Sequence, residues 1–192
     1  MIRLSRFSIM FVAGAVMLWA GVTGSAQAQF TCPTKIQWTY SNPSINIPHV
    51  FCGEIEGNKA KGFHSRPGGI NPGSVADVKI TQPPNASGVY GGIVTLVNPD
   101  GPNLSKFSTI FPDTCNLLEV VRSILHAYEN QVACPTGAPQ WASCGFNRPE
   151  DGSETGTEYC VGPSEDARFY IAFATLSHGE YAGKINTAFP LY

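Results

Sequence analysis

Apolar and polar positions change rhythm several times along this chain. The stretches 76–81, 89–97 and 106–111 are rich in β-branched and aromatic residues, and Pro83-Pro84-Asn85 and Asn98-Pro99-Asp100-Gly101-Pro102 punctuate them, which predicts three strands joined by turns. Upstream, His49-Val-Phe-Cys-Gly-Glu-Ile-Glu56 alternates as a half-buried strand does. With Lys59-Ala-Lys-Gly-Phe-His64 it flanks Gly57-Asn58, a dipeptide suited to a tight hairpin. Downstream the period lengthens. Leu117, Val121, Ile124, Leu125 and Tyr128 fall at helical spacing, Glu119, Arg122 and Asn130 face away, and Asn116 with Glu119 forms a capping box. Residues 131–163 show neither period and hold three cysteines, which reads as a disulfide-tied surface insertion. Strand character returns over 167–176 and 184–189, around a Ser177-His178-Gly179 turn. Together these segments predict an α+β fold with mainly antiparallel sheets and one clear amphipathic helix.

The first residues follow a different logic. Arg3 and Arg6 precede an uncharged apolar run over 9–21, and small and polar residues lead on to Ala26-Gln27-Ala28. This is the pattern of a secretory signal peptide, and the run is too short to span a bilayer. The expected organisation is therefore residues 1–28 as signal peptide and 29–192 as one domain, secreted or periplasmic after processing. Six cysteines (Cys32, Cys52, Cys115, Cys134, Cys144 and Cys160) lie in the second part. An even count in an exported chain predicts three disulfides, and the wide spacings argue against a metal cluster. Their connectivity stays open at this point, with 134, 144 and 160 expected to tie the irregular segment within itself or to Cys115.

Composition narrows the function only slightly. With 43% hydrophobic and 14% charged residues, the chain is no disordered tail. The formal charge is −2, and loss of the two N-terminal arginines makes the mature part more acidic. That balance disfavours nonspecific nucleic-acid binding. Between Lys59 and Lys106, however, five basic residues (Lys59, Lys61, Arg66, Lys79 and Lys106) stand against Asp77 and Asp100, whereas residues 150–166 hold six acids and no Lys or Arg. A basic face with an acidic region elsewhere follows.

Candidate chemistry lies with the histidines. His126, on the polar side of the helix, and His178, in a turn, read most simply as solvated. A hairpin would instead bring His49 and His64 together, and two neighbouring imidazoles can supply one neutral base and one protonated acid near neutral pH. On spacing alone the plainer reading comes first: two edge-strand histidines packed for hydrogen bonding. Lys106 likewise reads alone as an edge-strand lysine that blocks aggregation.

A resemblance changes that reading. His49-Val-Phe-Cys-Gly-Glu-Ile followed by Gly62-Phe-His64 resembles the paired-histidine motif of EndoU-type (uridylate-specific) endoribonucleases, whose relatives include bacterial contact-dependent toxin domains and the coronaviral uridylate-specific enzyme. Further pieces match in order: Lys106-Phe-Ser-Thr-Ile-Phe-Pro-Asp113, the helix through His126-Ala-Tyr-Glu-Asn130, and Ile185-Asn-Thr-Ala-Phe-Pro-Leu191. The likeness runs from about Pro48 to Tyr192. It implies that His49 and His64 are the acid–base pair, that Lys106 is the cation beside the scissile phosphate, and that Ser108, Thr187 and Phe189 contact substrate. Many relatives carry tyrosine where Phe189 stands, so stacking on a base survives while a hydroxyl contact is lost. The implied activity is cleavage of single-stranded RNA, at uridines, by 2′-OH attack to leave a 2′,3′-cyclic phosphate. No cofactor is required by this chemistry, although some relatives respond to manganese. RNA is the expected partner, and the chain names no immunity protein. The rival reading is a secreted, disulfide-stabilised binding module on an inactive EndoU-like fold.

Overall fold

The computed structural model describes residues 30–150, 158–164 and 167–192. The predicted signal peptide and part of the acidic stretch lie outside them. Regular structure opens with a buried helical turn, Pro48–Cys52, where an alternating strand was expected. Pro48 suits the first helical position, Asn46 Oδ1 accepts the His49 N–H (3.2 Å), and all five side chains are buried. Alternation in so short a run cannot distinguish a strand from one turn that is buried all round. Gly53, at φ 73°, ends the turn. Only then do β1 (Glu54–Glu56) and β2 (Lys59–Lys61) pair antiparallel around Gly57-Asn58, with Glu56 opposite Lys59.

The three expected strands form one antiparallel sheet, in the order β3 (Val75–Gln82), β4 (Tyr90–Leu96), β5 (Leu104–Ile110). Its central strand β4 is almost wholly buried. Val75, Tyr90, Val94, Leu96 and Ile110 pack with Phe63 into the smaller of two cores. The helix α1 (Leu117–Glu129) starts as predicted, the Asn116 side chain accepting the Glu119 N–H while Glu119 accepts the Asn116 N–H. Its inner face (Val120, Val121, Ile124, Ala127) covers a second sheet, ordered β6 (Gln131–Val132), β7 (Ser143–Phe146), β8 (Tyr170–Thr175), β9 (Ile185–Pro190).

The irregular segment is thus not simply a surface insertion. β7 lies inside the sheet, bonded to both β6 and β8, and Cys144 and Gly145 are buried. A Cβ on Gly145 would sit 2.2 Å from the Ala127 carbonyl oxygen, so glycine lets the strand touch the helix backbone. The same glycine erased the period that would have revealed the strand. All six cysteines are paired: Cys32–Cys52, Cys115–Cys160 and Cys134–Cys144. Three disulfides suit an oxidising compartment outside the cytoplasm. No described helix is long and apolar enough to cross a membrane.

Candidate active site

The two sheets meet where the helical turn, the segment after β2, the strand β5 and the end of β9 converge. Here the imidazoles of His49 and His64 lie with ring centroids 6.2 Å apart, both nearly buried (8% and 7% exposed). They meet by a route other than a ladder diagonal. Strand pairing stops at Glu54 and Lys61, and beyond it the chain crosses itself: Phe63 N–H donates to the His49 carbonyl and His64 N–H to that of Val50, each at 2.7 Å.

Two consecutive left-handed residues make that crossing. Gly62 has φ 67°, and a Cβ on it would fall 2.1 Å from the His49 carbonyl oxygen, so no other residue fits. Phe63 follows at φ 59°, an uncommon conformation for a side chain of this size, and its complete burial holds it there. The Gly-Phe-His motif is therefore a turn that delivers His64.

The two rings have opposite surroundings. His49 Nδ1 lies 2.7 Å from Glu54 Oε2, a counter-ion available to the protonated ring. His64 Nδ1 lies 3.0 Å from the Thr109 carbonyl and 3.0 Å from Ser108 Oγ. A carbonyl can only accept, so Nδ1 carries the proton and the Nε2 lone pair stays available. Burial, then the Lys106 ammonium and the His49 ring, hold His64 well below the usual histidine range, against the opposing Thr109 hydrogen bond.

Lys106, on β5, donates to the Gly62 carbonyl (2.9 Å) and to Ser108 Oγ (3.1 Å), and burial pulls its ammonium down to about 8. Ser108 in turn donates to the Phe63 carbonyl at 2.6 Å. Ser108 borders the cleft, yet its hydroxyl is committed to the protein, holding His64 and Lys106 together. Phe189 stacks on His64 (centroids 5.1 Å) and meets the edge of Trp141, which is 60% exposed. Thr187 stands two residues before Phe189 on the same face of β9, paired with Ala174. From His64, Ser108 and Phe189 a cleft of about 670 Å³ runs away between the sheets.

Other histidines lie outside this group. His178 is exposed, as expected, but His126 is not simply solvated: its Nδ1–H donates to the Phe146 carbonyl (3.0 Å), fastening α1 to β7. No cluster of three or more metal-ligating side chains occurs among the described residues. Sequence reasoning missed Glu54, Asn46 and Trp141. Glu54 sits on the alternating run five residues after His49 and could have been suspected. Asn46 gives no signal, because its side chain reaches Asn186 on β9 at 3.0 Å, across the whole chain.

Comparison with known proteins adds one finding. The family model described as Bacterial EndoU nuclease matches residues 44–192, a span that includes every residue of this group and the strand β7. No curated protein and no solved structure matches the chain. The chain belongs to the bacterial EndoU nuclease family.

Proposed function

From that membership we propose that the protein is a secreted endoribonuclease that cleaves single-stranded RNA next to uridines by transphosphorylation. The observation that carries the reading is the pair of imidazoles 6.2 Å apart, one facing a carboxylate and the other kept neutral by burial beside an ammonium. His64 Nε2 takes the proton of the ribose 2′-OH. The freed oxygen bonds to phosphorus, the P–O5′ bond breaks, and His49 gives its proton to the departing 5′-oxygen. Lys106 neutralises the charge that gathers on the phosphoryl oxygens. Ser108 acts as a positioning residue for both groups. Phe189 and Trp141 offer ring surface to the base, and Thr187 contributes to uracil recognition. DNA lacks the nucleophile and should be inert.

Export fits the three disulfides, and cleavage after Ala28 is part of the proposal. Intact mass of secreted material should begin at Gln29 or within a few residues. The activity itself is tested by incubating the oxidised mature protein with uridine-containing RNA, with and without a chelator, and identifying the new ends. A 2′,3′-cyclic phosphate and a 5′-hydroxyl are expected in both cases. Absence of cleavage would reject the reading and leave the binding-module alternative, whereas 5′-phosphate products would reject the transphosphorylation route.

A further inference from the structure

The cleft is longer than the acid–base pair requires. Its course follows from strand register: Thr109, whose carbonyl holds His64, pairs with Gly91, and Gly91 pairs with Gln82. Two strand spacings, about 10 Å, thus separate the anchor of His64 from Gln82. Gly91 leaves room for the glutamine, since a Cβ there would fall 2.3 Å from Gln82 Oε1. That oxygen is buried over Gly91 and has no hydrogen-bond partner among the described residues, while Gln82 itself borders the cleft. Such an atom costs free energy until something donates to it.

Arg168 borders the same end. The turn after β3 closes against it, Ser87 Oγ donating to the Arg168 carbonyl (3.5 Å) and Tyr192 Oη to that of Pro83 (3.0 Å). The guanidinium carbon lies 3.8 Å from the centroid of the Phe146 ring, and Nε is buried without a partner among the described residues. A terminal nitrogen stands 3.6 Å from Glu150, whose carboxylate is almost wholly exposed. The ring fixes the direction of the fork while its charge is only weakly compensated.

We propose that this end of the cleft is a subsite for the nucleotide adjoining the scissile bond, with Arg168 on a phosphate and the Gln82 amide on the base edge. A planar fork matches phosphate oxygens, and an amide offers an acceptor beside donors, the pattern that reads a base edge. The subsite rests on the RNA-cleavage reading and adds the part of the substrate that the histidines do not touch.

Two substrates separate the subsite from the chemistry. One is uridine 3′-(4-nitrophenyl phosphate), which has no neighbouring nucleotide; the other is a short RNA with a single uridine flanked by each base in turn. Arg168→Ala should raise KM for the RNA about tenfold and lower its salt slope by about 0.7, the worth of one phosphate contact on a single strand, while leaving the small ester unchanged. Arg168→Lys should keep the slope. Gln82→Ala should flatten the preference among flanking bases. With folding verified by circular dichroism, equal losses on both substrates, or an unaltered KM, slope and base preference on the RNA, would overturn the subsite. If the wild type cleaves neither substrate, the RNA-cleavage reading fails by itself, and anisotropy with 2′-O-methyl RNA judges the subsite. Weaker binding by Arg168→Ala then supports it, and unchanged binding or none by the wild type rejects it.

Discussion

Two imidazoles of the same intrinsic chemistry are made unequal by what each one touches. His64 gives its Nδ1 proton to a carbonyl and is buried beside a cation, so protonating it would place a second charge where water cannot reach. His49 has Glu54. His49→Ala and His64→Ala should each lower RNA cleavage by about 10²–10⁴-fold, the usual worth of a positioned acid or base, whereas His178→Ala should leave it unchanged. The pH–rate profile should keep its acid limb well below the usual histidine range, because only there does His64 take a proton. On the alkaline side Lys106 must hold its proton, and it loses that proton at about 8. Log kcat/KM should therefore steepen by about one unit of slope above that pH, and Lys106→Arg should remove the added slope. Stability carries the same signature. Below the ordinary histidine value the unfolded chain binds a proton that folded His64 refuses, so stability falls as pH drops, by at most about 1.4 kcal/mol per unit. Denaturant titrations at several pH values should show this slope diminished in His64→Asn.

The Gly62-Phe63 turn and the Pro48–Cys52 turn do more for the site than any regular strand. Each presents one histidine, and they are joined through the carbonyls of His49 and Val50. Gly62→Ala would force a methyl against the His49 carbonyl at a φ that alanine disfavours. We expect a loss of about 2–4 kcal/mol, read by denaturant unfolding, with cleavage reduced even where the protein remains folded. Asn116→Ala, at the start of α1, should by contrast cost only about 1 kcal/mol, without changing turnover.

At the scale of the whole molecule, the disulfides hold different parts of the machinery. Cys32–Cys52 ends the turn that bears His49, while Cys134–Cys144 closes the loop whose residues 135–139 form one wall of the cleft. Each bridge is worth about 2–4 kcal/mol through restriction of the unfolded chain. Replacing Cys32 and Cys52 by serine should lower both stability and kcat. The corresponding change at Cys134 and Cys144 should raise KM for RNA and spare kcat. Steady-state kinetics on the two variants distinguishes these outcomes, and an equal effect on both parameters in both variants would contradict the assignment.

Periodicity, turn chemistry and cysteine parity were enough to predict the three-stranded sheet, the capped helix, the Gly57-Asn58 hairpin and full disulfide pairing, because each depends on neighbours a few residues apart or on a simple count. The proximity of His49 and His64 was also legible, though for a reason that does not hold: the reading relied on a ladder, and the fold uses a helical turn. Alternation over five buried residues carries no information that separates the two. Residues 131–163 misled for a related reason, since Gly145 gives up its side chain to let β7 reach α1, and a strand chosen for close backbone approach has no period to display. What only the tertiary structure decided is the difference between the rings: the counter-ion at His49, the Ser108 bridge between Lys106 and His64, and the cleft that ends at Gln82 and Arg168. These depend on burial and on contacts between distant segments, and neither is a property of any stretch of sequence taken alone.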